Sequence, residues 1–163
     1  SFEAIRNESN VISSSMVRKL ISEGDMHKAT SLLGRSYSIS GQVVHGDGRG
    51  RHIGIPTANI QTWDEKILPK PGVYAAIAAV NSKKHAAVVN IGSRPTFYKP
   101  PAIQTIEVHL LDFQQDIYGH QLELTFLERL RSEHRFDSAD ALIRQIQDDI
   151  SKSRKVIENA LKS

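Results

Sequence analysis

The chain has 163 residues, 39% of them hydrophobic and 24% charged, which fits one globular domain with room for an appendage and excludes a disordered or collagen-like chain. Its net charge of +3, from 21 basic and 18 acidic residues, is scattered rather than blocked, so the expectation is a solvated surface and no nucleic-acid partner. No apolar run approaches the roughly 20 residues that span a bilayer. Ser1-Phe2-Glu3-Ala4-Ile5-Arg6 lacks the apolar stretch of a secretory signal, and there is no cysteine; disulfides and thiolate chemistry are excluded, and a cytoplasmic location is expected.

In chain order, the first thirty or so residues read as helix. Ile12-Ser13-Ser14-Ser15 precedes an apolar stripe at Met16, Val17, Leu20 and Ile21, so a serine is expected to cap a helix that Gly24 ends. Asp25 should cap a second, short helix with Met26, Ala29, Leu32 and Leu33 that closes at Gly34. From Tyr37 the period changes. Ile39–His45 reads as a strand that runs into Gly46, Gly48, Gly50 and Gly54, and further strand-like segments follow at Val73–Val80, Ala86–Ile91, Thr105–Leu111 and Leu122–Leu127. Turn residues at Asn81-Ser82, Pro95, Pro100-Pro101 and Gly119 separate them. Leu122-Glu123-Leu124-Thr125-Phe126 alternates and predicts one wet face. Short strands without helices between them argue for antiparallel pairing in a mainly β sandwich or barrel. After Phe136 the helical period returns. Asp137 or Ser138 can cap a helix with apolar positions Ala139, Leu142, Ile143, Ile146, Ile150, Ile157 and Leu161, which predicts packing on the barrel.

Chemistry concentrates in Gly46-Asp47-Gly48-Arg49-Gly50-Arg51-His52-Ile53-Gly54-Ile55-Pro56-Thr57-Ala58-Asn59. This is neither a Walker A loop nor a dinucleotide fingerprint. Alternate glycines interleaved with two arginines let backbone N–H groups approach an anion that the guanidinium groups neutralise; a solvated hairpin tip is the alternative. In an extended segment Thr57 and Asn59 share one face while Ala58 turns inward. Two neutral oxygen donors suit Mg²⁺, which phosphates and water complete; two local hydrogen bonds at a strand end are the competing reading. In Thr105–Leu110, the apolar Ile106, Val108 and Leu110 face opposite to Thr105, Glu107 and His109. Glu107 is either a solvent-facing strand glutamate or a carboxylate that can orient an alcohol and accept its proton. His109 reads as a surface or supporting histidine.

The run Gly41–Asn59, with its Gly-Arg-x-x-Gly-x-Pro-Thr-Ala-Asn core, resembles the signature of riboflavin kinases. Gly72-Val73-Tyr74, Asn90–Phe97, Glu107–Phe113, Asp116–Gly119, Leu130–Glu133 and Phe136-Asp137-Ser138 resemble the same family in its order. The resemblance implies a six-stranded antiparallel Greek-key β-barrel with a C-terminal α-helix, which transfers the γ-phosphoryl group of ATP to the 5′-hydroxyl of riboflavin and gives FMN and ADP. By matched position it implies Thr57 and Asn59 as holders of Mg²⁺ and Glu107 as the base. It further implies an ATP-binding set of Gly46, Gly48, Gly50, Arg51, Gly54, Thr57 and Asn59, and flavin contacts from Glu107, Arg131 and Glu133. Ser132 stands where the family often has proline, and Tyr98-Lys99-Pro100-Pro101 occupies a connection that is often glycine-rich; both bear on how flaps close. Ile12–Arg18 with Leu32–Arg35 is similar to the end of the adenylyltransferase domain of bacterial bifunctional riboflavin kinase/FAD synthetases. Residues 1–35 are therefore expected to be a helical remnant or linker from an upstream domain and 36–163 the kinase domain. No His-x-Gly-His occurs in the chain, so FMN but not FAD is the expected product. The alternatives are a non-catalytic flavin- or nucleotide-binding barrel and an oligonucleotide-binding barrel. The latter needs aromatic stacking platforms, and aromatics are only 6% here.

Overall fold

The structure is a computed structural model that describes residues 8–46, 54–62, 67–94 and 103–162. Six strands, β1 (Ser38–Val44), β2 (Ala58–Thr62), β3 (Gly72–Val80), β4 (Lys83–Arg94), β5 (Ile103–Leu110) and β6 (Gln121–Arg131), follow helices α1 (Glu8–Glu23) and α2 (Met26–Leu33) and precede helix α3 (Ala139–Lys162). They close into one antiparallel barrel in the order β1-β2-β5-β4-β3-β6, the Greek-key arrangement expected.

Strand pattern determines which side chains face inward. On β6, Leu122, Leu124 and Phe126 are buried and alternate with the exposed Gln121 and Glu123, as a half-wet strand requires. β3 is buried on both faces. Tyr74, Ala76, Ala78 and Val80 join the main core, while Val73 packs with Val88 and Leu111 in a second cluster that Ile150 of α3 covers. The tight connection Asn81-Ser82 has positive φ at both residues, 52° and 64°, which suits the right-handed twist of a hairpin. It lets β4 pair with β3 along its whole length, from Val80↔Lys83 to Gly72↔Ile91.

Three details depart from the sequence reading. The serines Ser13–Ser15 lie inside α1 rather than at its start, because that helix begins at Glu8. Val17 and Ile21 are buried as expected, but Met16 is 49% exposed. β6 also runs four residues past the expected Leu127, to Arg131, helped by register shifts against β3 between Val73 and Tyr74 and between Ala75 and Ala76. The caps of the other two helices are where expected. Asp25 accepts from the Lys28 N–H at 3.2 Å, Gly34 closes α2 at φ 74°, and Ser138 rather than Asp137 caps α3 by accepting from Ala141 N–H at 3.1 Å.

The N-terminal helices are part of the barrel's packing. Val17, Ile21, Met26 and Ala29 belong to the same buried cluster as the barrel interior. α3 packs across β3, β4 and β6, but its most buried positions are Asp149, Ser153 and Ile157, and the expected apolar Leu161 is 75% exposed. The two polar residues are satisfied, Ser153 by donating its hydroxyl to Ala87 O at 2.9 Å and Asp149 by the ion pair described below.

Candidate active site

The outer surface of β2, β5 and β4 brings three polar side chains into one row. Asn59 pairs directly with Glu107, and Glu107 pairs directly with Asn90 on its other side. All three alternate with inward neighbours: Ile60 next to Asn59, Ile106 and Val108 about Glu107, and Val89 and Ile91 about Asn90. Side chains directly opposite across a ladder stand about 5 Å apart at Cβ. The register therefore sets the Glu107 carboxylate between two amides.

Asn59 is held from the neighbouring strand as well. It pairs with Val44, and just beyond that strand Gly46 passes so close that a Cβ there would overlap the Asn59 amide. Glycine is required here for the approach, and the amide fills the space its missing side chain leaves. Thr57 and Asn59 open onto a cavity of about 420 Å³ that Gly46, His45, Asp116 and Tyr118 also line. Its outer wall, residues 113–118, has no regular period, so Phe113 and Asp116–Tyr118 stood out by family likeness alone and without a role; Tyr118 is half exposed and stacks on His45 with ring centroids 3.7 Å apart. His109 supports rather than lines this region, donating from Nδ1 to Pro56 O at 2.8 Å and so steadying the backbone that leads to Thr57.

The other side of Glu107 faces the segment after β6. The Glu133 carboxylate rests over Gly92 and Thr105, where a Cβ on Gly92 would meet Glu133 Oε2 at 3.0 Å and Thr105 Oγ1 at 3.1 Å. Burial first, and then the charge of Glu107, hold the Glu133 carboxyl above the ordinary carboxylate range, against the opposing pull of Arg131. The Asn90 Oδ1 atom, on the strand beside Glu107, is buried and has no hydrogen-bond partner among the described residues.

Arg131 does not project toward this surface as a free cation. Its Nε donates to Asp149 Oδ1 at 2.9 Å and its Nη2 to Oδ2 at 2.8 Å, a bidentate pair with helix α3. The expectation of direct flavin contact through its guanidinium meets that commitment. Gly54, the other described glycine of the loop, has φ 77° with open space around it. Gly48, Gly50 and Arg51 lie outside the described residues, as do Pro95-Thr96-Phe97 and Tyr98–Pro101. Among the described residues no group of three or more His, Cys, Asp or Glu side chains could hold a metal ion, so a cation here would rest on neutral oxygens and a ligand's own charges. None of the described helices is long and apolar enough to cross a membrane.

A barrel with this topology is shared with a riboflavin kinase from Trypanosoma brucei, which at 24% identity and a TM-score of 0.54 covers 74% of this chain and 76% of that one; that likeness concerns the fold alone. A crystal structure described as a macrolide-efflux protein from Streptococcus pneumoniae is closer, with 37% identity and a TM-score of 0.84 over 92% of this chain and 49% of that one. The family model for riboflavin kinase (flavokinase) matches residues 33–157, and the chain belongs to that family. The bifunctional riboflavin kinase/FMN adenylyltransferase of Bacillus subtilis is 42% identical over 161 residues, which are 98% of this chain and 51% of the relative. The chain spans about half the length of the curated relatives it matches.

Proposed function

We propose that the chain transfers the γ-phosphoryl group of ATP to the 5′-hydroxyl of riboflavin, giving FMN and ADP. The observation that carries this reading is the direct pairing of Asn59 with Glu107: a carboxylate that can serve an alcohol stands next to the neutral oxygen donors on a cavity wall. The nucleotide occupies the cavity that Gly46 lines, and the family resemblance assigns Gly48, Gly50, Arg51 and Gly54 to its binding as well. Thr57 Oγ1 and Asn59 Oδ1 would hold Mg²⁺. The close seat of the Asn59 amide against Gly46 and the oxygen-only donor set fit such an ion, which when bound neutralises charge on the phosphates.

Riboflavin approaches from the Glu133 side. Glu107 orients the primary hydroxyl and takes up its proton as the O–P bond forms, while the O–P bond to ADP breaks. Glu107 and Glu133 frame the acceptor, and Arg131 serves the flavin through the segment it anchors. Residues 1–35 we take as a helical remnant or linker from an upstream adenylyltransferase domain, its helices packed into the barrel's core, and 36–163 as the kinase domain. FAD is then not expected from this chain alone, and an ATP-consuming, cysteine-free chain suits the cytoplasm.

The test is incubation with riboflavin, ATP and Mg²⁺ and chromatographic separation of the flavins. FMN and ADP should appear in equal amounts, with no FAD when FMN and ATP are supplied. Glu107→Gln should lower kcat by about 10²- to 10⁴-fold while riboflavin binding persists. No FMN from the unaltered chain refutes the activity, and an unchanged rate in the variant refutes the base.

A further inference from the structure

Helix α3 carries a carboxylate that faces the barrel instead of water. Asp149 is 2% exposed and takes three donors: Nε and Nη2 of Arg131 at 2.9 and 2.8 Å and Nε2 of Gln145 at 3.0 Å. The same guanidinium reaches both ends of the segment that follows β6. Its Nη1 donates to Ser132 O at 3.0 Å, and its carbon lies 5.7 Å from the centre of the Phe136 ring. Between those two contacts stands Glu133, resting over Gly92 and Thr105.

A desolvated ion pair is a weak source of net stability, because the cost of removing both charges from water offsets their attraction, but it fixes one arrangement strongly. Here the arrangement fixed is the course of residues 132–136. We infer that the Arg131–Asp149 pair is the positioning device of the acceptor side: helix α3, through Asp149, sets where Glu133 stands relative to Glu107 and so governs the hold on riboflavin. This rests on the riboflavin kinase reading. Asp149 does not line the cavity that Thr57 and Asn59 open onto, so its influence belongs to the flavin and not to the nucleotide. Without its charge the guanidinium would turn to Glu133, the carboxylate whose charge it already attracts, and draw it off Gly92.

Asp149→Asn tests this in two measurements on the same chain. In FMN formation with each substrate varied in turn, KM for riboflavin should rise about 10-fold while kcat and KM for ATP stay within about 2-fold. Independently of activity, backbone amides of residues 132–136 should exchange with deuterium about 10-fold faster, with β2 and β5 unchanged. A rise in both KM values together, no change in either, or unaltered exchange at 132–136 overturns the inference. Should Asp149→Asn fail to give a cooperative melt, Gln145→Leu removes only the third donor and should give the same flavin-selective effect at about 3-fold; no selectivity there counts against it equally. If the unaltered chain makes no FMN, the functional reading fails by itself and the exchange measurement still decides whether the pair holds the segment.

Discussion

Asn59, Glu107 and Asn90 stand in a row because three neighbouring strands pair in one register, whereas Glu133 stands over Gly92 beside Arg131, which is tied to a residue eighteen positions further along the chain. In the first region the backbone ladder does the positioning, and each side chain has only to alternate correctly. In the second there is no ladder after Arg131, and a buried charge pair takes its place. Ladders are shared by many hydrogen bonds and resist single substitutions. A lone ion pair depends on both partners, so the acceptor side is the more easily disturbed of the two.

After Glu107→Gln, the largest effect expected from the ladder side is that of Asn59→Ala, which should lower kcat/KM for ATP by about 100-fold and leave riboflavin affinity, read by flavin fluorescence, as it was. Equal loss for both substrates would merge the two regions into one. Gly46→Ala is the finer probe. The new methyl collides with the Asn59 amide, the movable end of a side chain, so the amide should swing away while the fold persists. Activity should fall about 10-fold, the melting temperature should move by no more than about 2 °C, and the double variant with Asn59→Ala should be no worse than Asn59→Ala alone. Additive losses would mean that Gly46 acts by another route.

The smallest effect concerns Glu133. A carboxyl held above its ordinary value of 4.5 is harder to ionise in the folded chain than in the unfolded one. It contributes nothing well below that value, where both states are protonated; its destabilisation sets in as pH rises past 4.5 and is complete above the raised folded value. Glu133→Gln should therefore raise the melting temperature near neutrality, by only about 1 °C because the group is largely exposed and screened. The gain should fade on acidification through the carboxylate range. Calorimetry across pH checks the sign, and a gain that grows in acid would contradict the crowding with Glu107.

What could be read from the chain before its structure follows the same division. Alternation in Thr105–Leu110 put Glu107 on the face opposite the core, and alternation about Ala58 put Thr57 and Asn59 together, because strand period is a local property. The caps at Asp25, Gly34 and Ser138 are equally local. Asp149 was not legible. A charged residue on an amphipathic helix is expected on the wet face, and its burial depends on Arg131 arriving from a different element. The cavity wall at residues 113–118 gained no role for a related reason: an irregular connection carries no period, and only family likeness marked Phe113 and Asp116–Tyr118. The Asn59–Glu107 and Glu107–Asn90 neighbourhoods lie between these cases: each residue's face was readable, but which strands would lie side by side was not.

Because the six strands form an unbroken ring, the row from Asn59 to Asn90 cannot drift by one position on its own. A slip of β5 against β2 would turn Glu107 to the core and Val108 to water, and around a closed circuit every other pairing would have to accommodate the same displacement. Closure thus protects alignment at the reacting centre in a way an open sheet does not.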